Sequence, residues 1–169
     1  MENNDFYPSC KIEDLGIGSF SLVENFIRNS GLIFDGFAGG EDDPLDLLRD
    51  KLLRNKAKIF VIYVENEIVS YSVLFSKRST ISKTSYDWHI AYVYVDAAIR
   101  RKKVGEKMLR FLINFASKTK ANEISLYASD DNLPAIQLYR KLGFQEHKFI
   151  ANYIWFKLNL NLFRKLTGT

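Results

Sequence analysis

The sequence predicts an α/β protein, a single domain over residues 1–169, with a central twisted mixed sheet of about seven strands and helices on both faces. Segments of strand composition alternate with segments of helical periodicity, and no linker, repeat or low-complexity stretch interrupts the 169 residues. The segment Asp87–Val95 is apolar almost throughout, which is typical of a strand in the middle of a sheet.

The first third of the chain predicts one strand and two helices. Residues 9–14 read as a short strand, and Phe20–Arg28 as an amphipathic helix. After a glycine-rich acidic loop over residues 34–43, Asp43 caps a second helix that runs from Pro44 to about Asn55. One side of the first helix carries Phe20, Val23, Phe26 and Ile27, and the second helix is expected to bury Leu45, Leu48, Leu52 and Leu53.

The middle of the chain predicts strands. Lys58–Val64 and Ile68–Phe75 form a hairpin around a tight turn at Glu65–Glu67. The polar segment Lys77–Ser85 is expected to be a loop or a frayed strand end, and the central strand Asp87–Val95 follows it.

The last part of the chain predicts two helices among the remaining strands. A helix begins at Val104, a strand covers Glu123–Tyr127, and a short helix over Asn132–Leu142 is stopped by Gly143. Residues 146–158 read as a closing hairpin. The tail, residues 159–169, is ambiguous, and its leucines would suit a final short helix.

Composition excludes several classes of protein. The net charge of +4 is mild, no basic motif of a nucleic-acid module stands out, and direct nucleic-acid binding is not expected. Cys10 is the single cysteine, and His89 and His147 lack a ligand pattern, so we expect no metal site. The polar N-terminus and the lack of a long apolar run predict a cytoplasmic protein that does not enter a membrane.

A basic turn between the central strand and the following helix could hold phosphate. Arg100–Lys103 are four consecutive basic residues, and the helix start after them offers amide donors and a partial positive charge. Gly105 lets the backbone approach an anion closely. The alternative is a solvated basic turn that binds nothing.

Asn132 and Tyr139 form a second candidate group. Together with Ala135 they are spaced by three and four residues, so one helix face presents an amide and a phenol. Taken alone, Asn132 would serve as a helix cap and Tyr139 as a core aromatic.

Both segments together resemble the GNAT superfamily of N-acetyltransferases. VDAAIRRKKVGEKML is similar to its acetyl-CoA signature, with Arg100 and Gly105 at matching positions and Lys103 where the family usually has glycine. SDDNLPAIQLYRKLGF is similar to its second signature through Asn132 and Tyr139. The resemblance covers residues 58–158 as the acetyl-CoA-binding core. It implies acceptor-side helices in residues 1–57, with residues 159–169 as a tail.

The resemblance implies an acyltransferase that uses acetyl-CoA as co-substrate, without a metal, to acetylate a primary amine in a ternary complex. Tyr139 would donate a proton to the departing thiolate, and Asn132 would help hold the pantetheine arm. The residues expected to bind the cofactor are Val93, Tyr94, Val95, Arg100, Arg101, Lys102, Lys103, Val104, Gly105, Glu106, Lys107, Asn132, Ala135 and Tyr139. The alternative is a non-catalytic acyl-CoA sensor or scaffold with the same fold.

His89 is the candidate for the group that takes the proton from the amine. It lies where some family members carry a catalytic glutamate, and neutral imidazole can accept a proton. A purely structural histidine is the alternative, with water, Glu67 or Asp87 as other acceptors.

The acceptor itself stays open. Acidic residues around the second helix would attract a cationic amine, or would simply cap that helix. A small-molecule amine, a protein N-terminus and a lysine all remain candidates, and a homodimer is compatible with the sequence.

Overall fold

The computed structural model describes residues 10–31, 43–79, 81 and 85–168. The predicted loop over residues 34–43, apart from Asp43, and residue 9 of the predicted first strand lie outside these ranges. The strands are β1 (Lys11–Leu15), β2 (Ala57–Val64), β3 (Glu67–Arg78), β4 (Tyr86–Val95), β5 (Glu123–Ser129), β6 (Gln145–Ile150) and β7 (Tyr153–Asn159). The helices are α1 (Phe20–Asn29), α2 (Pro44–Leu53), α3 (Val104–Ser117), α4 (Leu133–Lys141) and α5 (Leu160–Thr167).

The seven strands form one mixed sheet in the order β1-β2-β3-β4-β5-β7-β6. β4 and β5 are parallel, whereas β1–β2, β2–β3, β5–β7 and β6–β7 pair antiparallel. The predicted fold class and the central place of β4 are therefore confirmed. Strand neighbours at both edges of β4 pair its backbone groups, while its apolar side chains suit a strand whose faces are covered.

Contacts divide the chain into two compact units. The first takes residues 1–75 and 92–108. Its interior includes a group of aromatic rings, in which Tyr71 stacks on Tyr94 with centroids 5.5 Å apart and Phe26 meets both edge-on. Tyr71 is fully buried, its hydroxyl lies 3.0 Å from the hydroxyl of Ser30, and burial raises the pKa of Tyr71 to about 12.

The second unit takes residues 76–91 and 109–169. The buried carboxylate of Asp87 accepts backbone N–H groups of Asn122 at 3.0 Å and Glu123 at 3.2 Å, which fixes the start of β5. Arg164 on α5 donates to carbonyls at and just after the end of α3, namely those of Ser117, Thr119 and Ala121. The tail thus forms the short helix that its leucines suggested, and that helix satisfies three carbonyls of the unit.

The ends of α2 and β3 differ from those predicted from the sequence. The prediction that Leu53 is buried is wrong: α2 ends at this residue, Leu53 is 66% exposed, and Asn55 has a left-handed φ of 54°. β3 runs three residues beyond the predicted end at Phe75. Its last residues are polar but remain extended, because strand structure rests on backbone hydrogen bonds as much as on apolar side chains.

Candidate functional site

The basic turn of the first unit connects β4 to α3. A short 3₁₀ turn (Ala97–Ile99) follows β4, and the Asp96 carboxylate caps it by accepting the Ala98 N–H at 2.8 Å. Arg101 and Lys103 then adopt left-handed backbone with φ of 66° and 59°. Left-handed residues in a turn can direct neighbouring amides toward a common side, and such concave arrangements bind anions.

Lys103 takes the conformation that glycine adopts most easily. A non-glycine residue in the left-handed region is disfavoured by roughly 1 kcal/mol. The departure of Lys103 from the family's glycine therefore has a structural cost in this chain, and the turn keeps the glycine-like geometry despite it.

We expect Lys103→Gly to stabilise the fold by about 0.5–1 kcal/mol, because it removes the left-handed strain. Urea unfolding would measure the change. Lys102→Gly is the matched control, since it removes a neighbouring positive charge at a residue whose φ is not positive. A stability loss in Lys103→Gly equal to that of the control would contradict the strain argument.

The start of α3 supplies the amide donors. The first i to i−4 bond of the helix runs from the Lys107 N–H to the Lys103 carbonyl at 2.9 Å, so Val104 and Gly105 lie in the first turn, where a helix has no carbonyl to offer. A Cβ on Gly105 would meet Val95 Cγ2 at 3.6 Å, an ordinary contact. Alanine would also fit there, as in the family pattern, whereas a larger side chain could cover the amides. These residues fit an anionic group such as a pyrophosphate.

Arg100 and Lys107, both expected to bind the cofactor, are held by contacts inside the first unit. The Arg100 Nε donates to the Val95 carbonyl at 3.1 Å, and its guanidinium lies 6.0 Å from the centroid of the Tyr94 ring. The Lys107 ammonium donates to the Cys10 carbonyl at 3.2 Å. Arg100 and Lys107 thus brace the turn, while Arg101, Lys102 and Lys103 are exposed.

The backbone groups of β4 differ in which edge of the strand they face. The buried hydroxyls of Ser70 and Ser72 donate to the carbonyls of Tyr94 at 2.6 Å and Tyr92 at 2.7 Å. Peptide groups alternate in direction along a strand, so those of Val93 and Val95 point to the opposite edge. The parallel register of β4 with β5 covers Trp88–Ile90, and β4 continues to Val95 beyond it.

The second unit carries the predicted Asn132 and Tyr139. The Asn132 side chain accepts the Ala135 N–H at 3.3 Å and caps α4, which agrees with the interpretation of Asn132 as a helix cap. The Tyr139 ring contacts Phe144 and Phe156 edge-on, with centroids 6.1 and 5.7 Å away. Burial raises the pKa of Tyr139, so its hydroxyl keeps its proton at neutral pH.

His89 is buried on β4, with 7% of its surface exposed. Its Nδ1 lies 3.0 Å from the Ser125 hydroxyl, and its ring packs edge-on against Tyr127. Burial, together with the positive charge of Lys77, lowers the pKa of His89 to about 3. The imidazole is therefore neutral at physiological pH.

The carboxylates near the first two helices are engaged in ion pairs. Asp43 caps α2 through the Leu45 N–H at 3.0 Å and pairs with Arg28, whose hydrogen bond is the main cause that lowers the pKa of Asp43. Asp46 pairs with Arg49. The capping interpretation is therefore supported for Asp43, while Asp46 lies in the first turn of α2 with Arg49 as its partner; Asp35, Glu41 and Asp42 lie outside the described residues.

Several residues near the candidate site were not predicted from the sequence. Ser70 and Ser72 stand out as a polar pair inside an apolar strand, a signal that could have indicated a structural role. Ser125, Tyr127 and Lys77 surround His89, but their strands are distant in sequence, and only the strand order brings them together.

Within the described ranges, no cluster of three or more His, Cys, Asp or Glu side chains has the arrangement of a metal site. None of the helices in this part of the chain combines the length and apolar character needed to cross a membrane.

Comparison with known proteins identifies the family. The sequence model of the Acetyltransferase (GNAT) family matches residues 28–144. The chain therefore belongs to the acetyltransferase (GNAT) family, and the predicted family is confirmed.

Two relatives and one structure illustrate the similarity. N-alpha-acetyltransferase 30 of Dictyostelium discoideum is 30% identical over 56% of this chain and 49% of its own length. Spermine/spermidine N(1)-acetyltransferase of Bacillus subtilis (strain 168) is 31% identical over 50% of this chain and 57% of its own length. The chain thus spans about half the length of these curated relatives. The PaiA N-acetyltransferase of Thermoplasma acidophilum, solved with coenzyme A, shares the fold with a TM-score of 0.64 at 15% identity, over 89% of this chain and 99% of that one.

Proposed function

We propose that this protein transfers an acetyl group from acetyl-CoA to a primary amine by direct attack within a ternary complex. The single observation that carries the proposal is the basic turn Arg100–Lys103. Its left-handed residues Arg101 and Lys103 lead into the first turn of α3, where the family signature places the pyrophosphate. The PaiA structure with coenzyme A supports this choice of co-substrate.

In this proposal the first unit binds the co-substrate. The amides of Val104 and Gly105 and the positive charges of the turn hold the pyrophosphate. Val93 and the N–H of Val95 lie on the edge of β4 that faces away from the Ser70 and Ser72 hydroxyls, and these groups pair with the pantetheine amides, while the Val95 carbonyl accepts from Arg100. Backbone N–H groups of the strand Ile90–Val95 polarise the thioester carbonyl.

The second unit supplies the proton donor. The amine nitrogen forms a bond to the acetyl carbon while the bond from that carbon to sulfur breaks. Tyr139 gives its hydroxyl proton to the departing thiolate, which suits a phenol whose raised pKa keeps it protonated until the thiolate forms. No covalent acyl-enzyme is required.

The amine must lose a proton in the same reaction. We propose that His89 orients the amine as a hydrogen-bond acceptor and that water carries the proton away. The low pKa of His89 makes its imidazole a weak base, which favours water for that part of the task. Asp87 is a less suitable base, since its carboxylate already accepts two backbone N–H groups.

Isothermal titration with acetyl-CoA and a thiol-release assay against a panel of primary amines test the proposal. We expect wild-type protein to bind acetyl-CoA, and the double variant Arg101→Ala, Lys102→Ala to bind about ten-fold more weakly because charge-assisted contacts to phosphate are lost. The matched control is Lys118→Ala, Lys120→Ala, which removes two charges in the turn after α3.

Absence of binding would overturn the proposal. Binding by a well-folded protein that releases no thiol with any amine would instead support the second candidate, an acyl-CoA sensor. The capping role of Asn132 favours that candidate in one respect, because a cap has a structural purpose without catalysis.

A further inference from the structure

The sheet of the second unit carries four aromatic rings on four neighbouring strands. His89 on β4, Tyr127 on β5, Trp155 on β7 and His147 on β6 follow one another with centroid distances of 5.1, 5.9 and 4.9 Å. Tyr127 and Trp155 are directly opposite in the register of β5 and β7. We call these four residues the ring row.

Two lysines lie over the ring row. The Lys77 ammonium is 5.8 Å from the centroid of Tyr127, and the Lys157 ammonium is 4.3 Å from that of Trp155. Lys157 also pairs with Glu123 at 2.9 Å, and both side chains are mostly buried. Within the described part of the chain, Lys77 contacts a ring rather than a carboxylate. The balance of these three groups therefore leaves one positive charge beside Tyr127 and His89.

A second observation concerns a hydrogen-bond donor in the ring row. The indole Nε1 of Trp155 is buried and has no hydrogen-bond partner among the described residues. Such a donor is uncommon in folded proteins and calls for an acceptor. Partial desolvation of its ammonium also lowers the pKa of Lys77, whose side chain is otherwise exposed; Glu123 opposes this effect and Lys157 adds to it. An anionic group beside Lys77 would favour its charged ammonium.

We propose that the ring row is the acceptor subsite and that the amine it takes carries a carboxylate or phosphate group rather than further positive charges. This inference rests on the proposed function. A polycation would meet the ammonium of Lys77 next to His89, and like charges repel at this range. Asp43 and Asp46, which could otherwise attract a polycation, are already paired with arginines.

The anionic group could belong to a small amine or to a peptide. Thiol release with matched pairs separates these sources: glycine against glycinamide, and a peptide with glutamate in second position against the same peptide with glutamine. Spermidine represents a polycation. We expect kcat/KM at least ten-fold higher for the anionic member of one pair, and lower values for spermidine than for that member.

In Lys77→Gln, the kcat/KM values of the two members of the preferred pair should lie within about two-fold of each other. In Lys77→Glu, kcat/KM should be higher for the neutral member. Lys118→Gln, an exposed lysine in the turn after α3, is the control and should keep the wild-type ratio. If the Lys77 variants do not fold, the wild-type ratio itself should shrink at high salt, because exposed charges are screened.

Equal or faster acetylation of spermidine, or an unchanged ratio in folded Lys77→Gln, would overturn the inference and leave the proposed function standing. The absence of thiol release from every amine would overturn the proposed function, and with it the inference.

Discussion

Tyr139→Phe is expected to lower kcat about ten-fold or more while the Kd for acetyl-CoA stays nearly unchanged. The substitution removes one oxygen atom and keeps the ring that contacts Phe144 and Phe156, so packing is preserved. General acid catalysis contributes typically 10²–10⁴-fold, and water can replace part of that contribution. A loss seen in kcat and in kcat/KM together would mean that an interaction made only in the transition state is gone.

Stopped-flow thiol detection gives kcat for Tyr139→Phe, and titration gives its Kd. Tyr86→Phe is the matched control, because Tyr86 lies at the start of β4 with its ring against Trp88 and has no part in the proposed chemistry. Equal kcat in Tyr139→Phe and wild type would remove Tyr139 from the mechanism, and weaker acetyl-CoA binding would mark it as a structural residue.

The second large effect concerns stability and pH. His89 has a pKa of about 3 in the folded protein, against about 6.5 in an unfolded chain. Below pH 6.5 the unfolded state therefore binds a proton that the folded state does not, so stability falls as the pH falls, until the pH reaches the folded pKa. The expected slope approaches about 1.4 kcal/mol per pH unit, or about 2 kcal/mol between pH 7 and pH 5.

Urea unfolding at pH 7, 6 and 5 would measure this loss. In His89→Gln the slope should nearly vanish, whereas the control His147→Gln, on the exposed strand β6, should keep it. The window ends at pH 5 because paired carboxylates such as Glu24 and Asp43, whose pKa values are lowered by arginines, lose their contribution at lower pH. The same slope in His89→Gln and wild type would show that another group binds the proton.

Much of the fold could be predicted because its strongest signals are local. A long apolar run indicated the central position of β4. An asparagine cap followed by proline and a helical pattern indicated α4. Leu53 was misplaced because periodicity carries no information about where a helix stops, and Asn55 ends α2 by a backbone conformation that composition does not dictate.

The candidate site was predictable where its chemistry is contiguous in sequence. The basic turn before α3 can be found from charge and helix position alone, although the left-handed conformation of Lys103 is known only from the structure. The ring row could not be anticipated, because Tyr127 and Trp155 become neighbours only once β7 is known to pair with β5. The low pKa of His89 likewise depends on burial, which a sequence does not display.

The two serines of β3 limit how this sequence can vary. Ser70 and Ser72 are fully buried, and each donates to a β4 carbonyl that would lose this donor after replacement by alanine or valine. A hydrogen bond contributes about 0.5–1.5 kcal/mol to stability, so an apolar substitution that improves the hydropathy of the strand but loses this bond would still weaken the protein. Mutational libraries of this chain should therefore be depleted of hydrophobic residues at these two positions, although the neighbouring residues of β3 are themselves hydrophobic.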